Sequence, residues 1–108
     1  MTEAQIDGPV REMIEATNAE ERDRLLAAFA PDAGLVDFGR RFVGREEIGG
    51  WSDRENIGTH NRITATNIST SSEEVEVEIE VTGDGYNGTG LLSFALDGDQ
   101  ITTLQITG

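Results

Sequence analysis

The sequence predicts an α+β fold in which three N-terminal helices pack on a curved antiparallel sheet. Three observations carry this expectation. Apolar residues recur at helical spacing up to Trp51, residues from Thr59 onward alternate as strands do, and turn-forming residues separate the runs. Helices followed by a curved sheet make an open cone with an apolar hollow. One carboxylate, Asp37, stands where the chain enters that hollow.

The first helix is read from Ile6, Val10, Met13, Ile14 and Thr17, which recur at spacings of three and four and make one buried stripe. Thr2 and Gln5 fit a capping box, but Pro9 has no amide hydrogen and would clash with the carbonyl one turn back. A regular helix from Pro9 to Asn18 is therefore expected. Asn18 and Glu21 form a second capping-box pattern, opening a helix with Leu25, Leu26 and Phe29 on one face. This helix should reach Phe29 or Ala30 and stop at Pro31. The chain then runs extended through Leu35-Val36-Asp37-Phe38. A third helix is expected from Arg45 to Glu55, bearing Ile48 and Trp51. Gly49-Gly50 weakens it by about 1 kcal/mol per glycine relative to alanine. The pair either admits a closely packed neighbour or marks a bend.

Four antiparallel strands should follow: Arg62 to Thr70, Glu73 to Thr82, Tyr86 to Leu96 and Gln100 to Thr107, with turns at Gly83-Asp84-Gly85 and Asp97-Gly98-Asp99. In the second, Val75, Val77, Ile79 and Val81 share one face and Glu74, Glu76, Glu78 and Glu80 the other. The valine face looks inward and the glutamate row is a solvated surface or a docking face for a basic partner. In the third, Tyr86, Gly88, Gly90, Leu92, Phe94 and Leu96 form the expected inner face. Its two glycines mark a bulge or bend, leave room for the hollow, or do both.

At 108 residues the chain is long enough for a single domain, residues 1–108, with one core. A formal net charge of -13 disfavours nucleic acid and anionic membrane as partners. There is no cysteine, so thiol chemistry, disulfides and thiolate metal sites are excluded, and the absence of lysine excludes a side-chain Schiff base. One histidine and scattered carboxylates imply neither a metal nor a cofactor. The N-terminus has neither a basic region nor an apolar run, so a cytoplasmic protein is the default expectation.

Phe29-Ala30-Pro31-Asp32-Ala33, Val36-Asp37, Phe42-Val43-Gly44-Arg45-Glu46-Glu47-Ile48 and Trp51 together resemble the nuclear transport factor 2-like superfamily, and within it the SnoaL-like group. The resemblance covers nearly the whole chain. It implies a cone-shaped α+β roll of the kind shared by ketosteroid isomerases, polyketide cyclases and many members without an assigned activity. It implies a general base at Asp37, which matches the aspartate that serves ketosteroid isomerases in the short strand after the second helix. That family's tyrosine and protonated aspartate fall on Met13 and Leu92, and neither side chain donates a hydrogen bond. The resemblance also implies a homodimer through the sheet, which must offset the glutamate row or use Leu91, Ala95, Leu104 and Ile106.

The candidate chemistry is proton transfer. Asp37 is either a carboxylate half buried in the hollow, and so a usable base near neutrality, or an exposed strand-end group paired with Arg40 or Arg41. His60, at the start of the first long strand, is either structural or faces the hollow as a proton donor to substrate. The Tyr86 hydroxyl either enters the hollow or meets water at its rim. Met13, Phe42, Trp51, Leu92 and Phe94 are the expected walls for a small apolar molecule. Asp37, Arg54 and Asp53 supply the residue types of an epoxide-hydrolase set. The expected function is binding of an apolar molecule, with isomerisation, cyclisation or hydrolysis through Asp37, or else a non-catalytic carrier or protein-interaction role. A hollow of about 300 Å³ or more with Asp37 and His60 both opening into it would favour chemistry; a hollow filled by Phe42, Trp51, Leu92 and Phe94 would favour a scaffold.

Overall fold

The computed structural model describes residues 8–71 and 74–108. The capping box at Thr2 and Gln5, the core position Ile6 and the strand start at Glu73 lie outside the described residues. Helix α1 (Gly8–Ala19) buries Val10, Met13, Ile14 and Thr17 of the expected stripe, and Ala16 beside them. Pro9 occupies its first turn, where the missing amide hydrogen costs nothing.

Helix α2 (Arg22–Ala27) is shorter than expected. Its predicted box does not form: the residue before it is Glu21, whose side chain makes no capping bond. Asn18 is otherwise engaged, because its Nδ2 donates to the Ile63 carbonyl at 2.9 Å and its Oδ1 accepts from the Ile63 amide at 2.7 Å. That two-way clasp ties the end of α1 to the sheet. The expected stop at Pro31 also moves. The Ala28 carbonyl accepts from the Ile101 amide at 2.8 Å, and Phe29 is already in strand β1 (Phe29–Asp37). Capture by the sheet ends the helix before proline can. Phe29 is fully buried, as a core residue should be, but from a strand.

The turn Phe38-Gly39 has positive φ at both residues, 50° and 87°, as a two-residue hairpin requires. It leads into β2 (Arg40–Val43), a strand the sequence reading did not contain. Two arginines and little alternation hide it, and they suit an edge strand. Helix α3 (Gly44–Glu55) follows, then a 3-10 turn (Ile57–Thr59) and strands β3 (Arg62–Thr70), β4 (Glu74–Thr82), β5 (Gly88–Asp97) and β6 (Gln100–Thr107). The sheet has six strands in the order β2-β1-β6-β5-β4-β3. It is mixed rather than purely antiparallel, because β1 runs parallel to β6.

Register shifts in β1/β6, β3/β4 and β5/β6 curve the sheet around the helices. The β4/β5 register is unbroken through Gly88 and Gly90, so those glycines do not mark a bulge. Gly49 is buried in α3 against α2; a Cβ there would come within 2.5 Å of the Arg22 guanidinium. Close helix packing, rather than a bend, accounts for it. The core runs from Val10, Leu25 and Ile48 on the helices to Val77, Leu92, Phe94 and Leu104 on the sheet. On β4, Glu74, Glu76, Glu78 and Glu80 are exposed while Val77, Ile79 and Val81 are buried, as alternation predicts. Leu104 and Ile106 stand opposite Phe94 and Leu92 on the inner face, so only Leu91 and Ala95 of the expected dimer residues lie on the outer one. No described helix is long and apolar enough to cross a membrane.

The Asn18 clasp supplies the first test. Asn18→Ala should cost about 1–3 kcal/mol of unfolding free energy in urea, because it strands a backbone donor and acceptor at β3. Equal stability of the variant would remove the clasp from the account of the fold.

Candidate functional site

Asp37 is the last residue of β1, and the hairpin sets Arg40 directly opposite it. After β2 the chain returns as α3 with Trp51 and Glu55 four residues apart, on one helix face. These two side chains meet the hairpin. Arg40 Nη2 donates to Asp37 Oδ2 at 2.7 Å, and Trp51 Nε1 donates to the same oxygen at 3.0 Å. Arg40 also grips Glu55 with both terminal nitrogens, Nη1 to Oε2 at 2.7 Å and Nη2 to Oε1 at 2.5 Å. Asp37 is 8% exposed, so these donors compensate its removal from water. Both fall on Oδ2; no described residue donates to Oδ1.

These four residues form part of the wall of a cavity of about 330 Å³. Its apolar wall is Met13, Ile63, Ile79, Val81, Leu92 and Ile106, and its aromatic residues are Phe38, Trp51 and Tyr86. Gly90 lines it too, so a side chain is absent where the hollow lies. Asn56, Thr59, Asn61, Thr89 and Thr107 add to the polar part. Asn56 is buried and donates to Thr17 Oγ1 at 3.1 Å and Ser52 Oγ at 3.3 Å. Asn61 donates to the Glu55 carbonyl at 3.2 Å and Asn56 Oδ1 at 3.3 Å. This amide cluster locks the end of α3 to α1 and saturates itself in doing so.

Asp37, Tyr86, Met13, Trp51 and Leu92 thus share one cavity, whereas His60, Phe42 and Phe94 do not line it. His60 does not begin β3. It closes the 3-10 turn in a left-handed conformation, and its ring Nδ1 lies 3.0 Å from Glu20 Oε2 in solvent. Phe42 is half-buried beside the Arg40 guanidinium, and Phe94 is fully buried in the core. Tyr86 lies in the loop before β5 rather than in that strand, is 50% exposed, and its hydroxyl donates to the Thr89 carbonyl. Asp53 pairs with Arg22, and Arg54 is exposed, so the epoxide-hydrolase set does not assemble. Arg40 and Glu55 stand around Asp37 instead.

Arg40 belonged to the sequence reading only as a surface partner for Asp37. Glu55 entered it only as the end of the third helix, in a local ion-pair cluster with Asp53 and Arg54, and Asn56, Thr59 and Asn61 had no role at the site. The four-residue step from Trp51 to Glu55 is the one sequence signal for Glu55. The amides carry no such signal, because their role depends on where α3 ends.

The Arg40 hydrogen bonds hold the Glu55 carboxyl below the usual carboxylate range, and Glu55 together with Asp37 raises the Arg40 guanidinium. The Glu20 carboxylate raises His60 above its ordinary value, with Asp84 assisting.

No protein-family model matches the sequence, and no curated protein is similar to it. Solved structures are similar in shape. A candidate polyketide cyclase from Sinorhizobium meliloti superposes with a TM-score of 0.81 at 24% identity over 92% of this chain and 93% of that one. A nuclear transport factor 2-like protein of unknown function from Cytophaga hutchinsonii gives 0.80 at 15% identity over 97% and 92%. The chain has the nuclear transport factor 2-like fold. A Catenulispora acidiphila protein with the ketosteroid isomerase-like version of this fold, solved with trimethylamine, gives 0.84 at 23% identity over 96% and 87%.

Two titrations follow. In Arg40→Met the Glu55 carboxyl should return toward its ordinary pKa by NMR. Because pairing lowers that group in the folded state, its stabilisation is present above the unfolded carboxylate pKa and fades as pH falls through the lowered value. The melting-temperature gap between wild type and variant should therefore narrow on acidification; a pH-independent gap would contradict the pairing. His60 should titrate above 6.5 by NMR and drop toward that value in Glu20→Gln. For a raised histidine, the stabilisation is full below the unfolded pKa and is lost as pH rises through the folded one.

Proposed function

We propose that this domain encloses an apolar small molecule in its cavity, with Asp37 as the one group poised to exchange a proton with it. The observation that carries the proposal is the buried carboxylate on the cavity wall with Oδ2 pinned by two donors and Oδ1 left free. Pinning one oxygen fixes the orientation of the other, as a general base requires. The cavity volume falls within the range of small-molecule sites, and its wall is mostly apolar. The Catenulispora protein of the same fold was solved with a small molecule, which supports the same use here. A catalytic version would be isomerisation, cyclisation or water addition with Asp37 as base.

One observation favours the non-catalytic reading, a ligand carrier. Met13 and Leu92 occupy the cavity wall where an enolising enzyme needs donors, and the amides there are committed to the protein. A developing oxyanion would find little stabilisation. A homodimer through the outer face of the sheet belongs to the proposal as well. Leu91 and Ala95 are half-buried there, and the exposed glutamates of β4 would have to sit offset from their symmetry mates.

Thermal-shift screening with hydrophobic ketones, epoxides and polyketide-like acids tests the reading. Binders should raise the melting temperature of the wild type and do so less in Leu92→Phe, which narrows the cavity at its wall. If a binder is turned over, Asp37→Asn should abolish the turnover with an unchanged circular dichroism spectrum. Recovery of every binder unaltered would establish the carrier. Retained turnover in Asp37→Asn would remove Asp37 from the chemistry.

A further inference from the structure

The polar groups on the cavity wall leave a one-sided remainder. Most donors are spent within the protein. Trp51 Nε1 is used on Asp37, and Tyr86 on the Thr89 carbonyl. The Asn56 and Asn61 amides donate to Thr17, Ser52, Asn56 and the Glu55 backbone. The Thr59 hydroxyl turns to the Asn56 carbonyl and Asn61 Oδ1. Arg40 gives both N–H groups of Nη2 and one of Nη1 to carboxylates, which leaves it one Nη1 N–H. What stays open is acceptor capacity: Asp37 Oδ1, and the lone pair that a donating tyrosine oxygen retains at Tyr86. Thr89 and Thr107 add hydroxyls that serve in either direction.

Charge points the same way. The charged groups on the wall are two carboxylates, Asp37 and Glu55, against the single guanidinium of Arg40. The whole chain carries -13, so the surrounding field does not reverse that sign. Three aromatic side chains share the wall, and Phe38 and Tyr86 among them are largely exposed. Ring quadrupoles attract cations and repel anions. A carboxylate ligand would meet like charge and few free donors. A ketone would find the Thr89 and Thr107 hydroxyls and one Arg40 N–H. A protonated amine would find a fixed carboxylate oxygen and an aromatic surround.

We propose that the cavity selects an apolar molecule carrying a single protonated amine, whose N–H groups are accepted by Asp37 Oδ1. The inference rests on the reading that the cavity binds a small molecule, and it names the class. Glu55 is the weaker competitor for the amine, because each of its oxygens already accepts from Arg40, whereas Asp37 Oδ1 accepts from no described residue. Arg40 has a second consequence: by engaging Glu55 and Asp37 Oδ2, it leaves Asp37 Oδ1 as the one carboxylate oxygen on the wall that accepts from no described residue.

Three probes of matched shape decide it: 2-naphthylmethylamine, 2-naphthylmethanol and 2-naphthoate, titrated calorimetrically into the wild-type protein at pH 7. A charge-assisted hydrogen bond predicts that the amine binds at least about tenfold tighter than the alcohol, and that the carboxylate binds weakest. The amine's advantage should shrink with added salt and disappear in Asp37→Asn. The alcohol or the carboxylate binding as tightly as the amine would overturn the proposal, as would an undiminished amine advantage in Asp37→Asn. If that variant does not fold, the wild-type series decides alone. Alcohol binding that is weakened in Leu92→Phe, with no preference for the amine, would sink this inference and leave the cavity reading standing. No binding of any probe would sink both.

Discussion

The guanidinium of Arg40 bridges two carboxylates from different parts of the chain, and the shape of the cavity depends on that bridge. Asp37 comes from the end of β1 and Glu55 from the end of α3. Between them the chain makes a hairpin and a helix whose relative position nothing local dictates. The bridge and the Trp51 bond to the same Asp37 oxygen fix it. The Asp37 side chain is 12% exposed and Arg40 is 53% exposed, so the pair is asymmetric. The carboxylate has left most of its water and needs its donors, while the guanidinium keeps one side in solvent. Such a pair is worth more for the penalty of breaking it than for the attraction itself.

The same asymmetry gives the site its chemistry. A buried carboxylate held at one oxygen is oriented at the other, and the orientation comes from the protein rather than from a ligand. On the far side of the wall the amides of Asn56 and Asn61 look like functional groups in composition. Their hydrogen bonds say otherwise, because they are consumed in holding α1, α3 and the 3-10 turn together. The cavity is therefore built from polar residues that are mostly structural, around one that has capacity to spare.

Much of the fold was legible in the sequence. Strict alternation in β4 has one solution when one face must be buried, and β3 and β6 end where their turn residues do. The helical stripe of α1 was equally plain. Reading failed where a local signal was outbid by a distant one. Asn18 has the pattern of a helix cap but binds the Ile63 backbone, forty-five residues on. Phe29 fits the apolar face of α2 but joins the sheet, because it pairs in parallel with Ile101, whose amide donates to the Ala28 carbonyl, a bridge that no sequence window contains. The edge strand β2 is four residues long and mostly charged or exposed, so its periodicity carries almost no information.

By itself, the sequence determined the α+β class, the order of most elements and the inward faces of the long strands, and it singled out Asp37 without deciding whether it enters the hollow. Those follow from periodicity, turn chemistry and the resemblance in residues 29–51, all of which are local. Tertiary structure alone decided that Arg40 and Glu55 join Asp37 while His60 and Phe94 do not. Convergence of side chains depends on the hairpin angle, the helix end and the parallel pairing of β1 with β6. These are set by contacts between segments far apart in the chain, and the free energy of such contacts has no trace in any short run of residues.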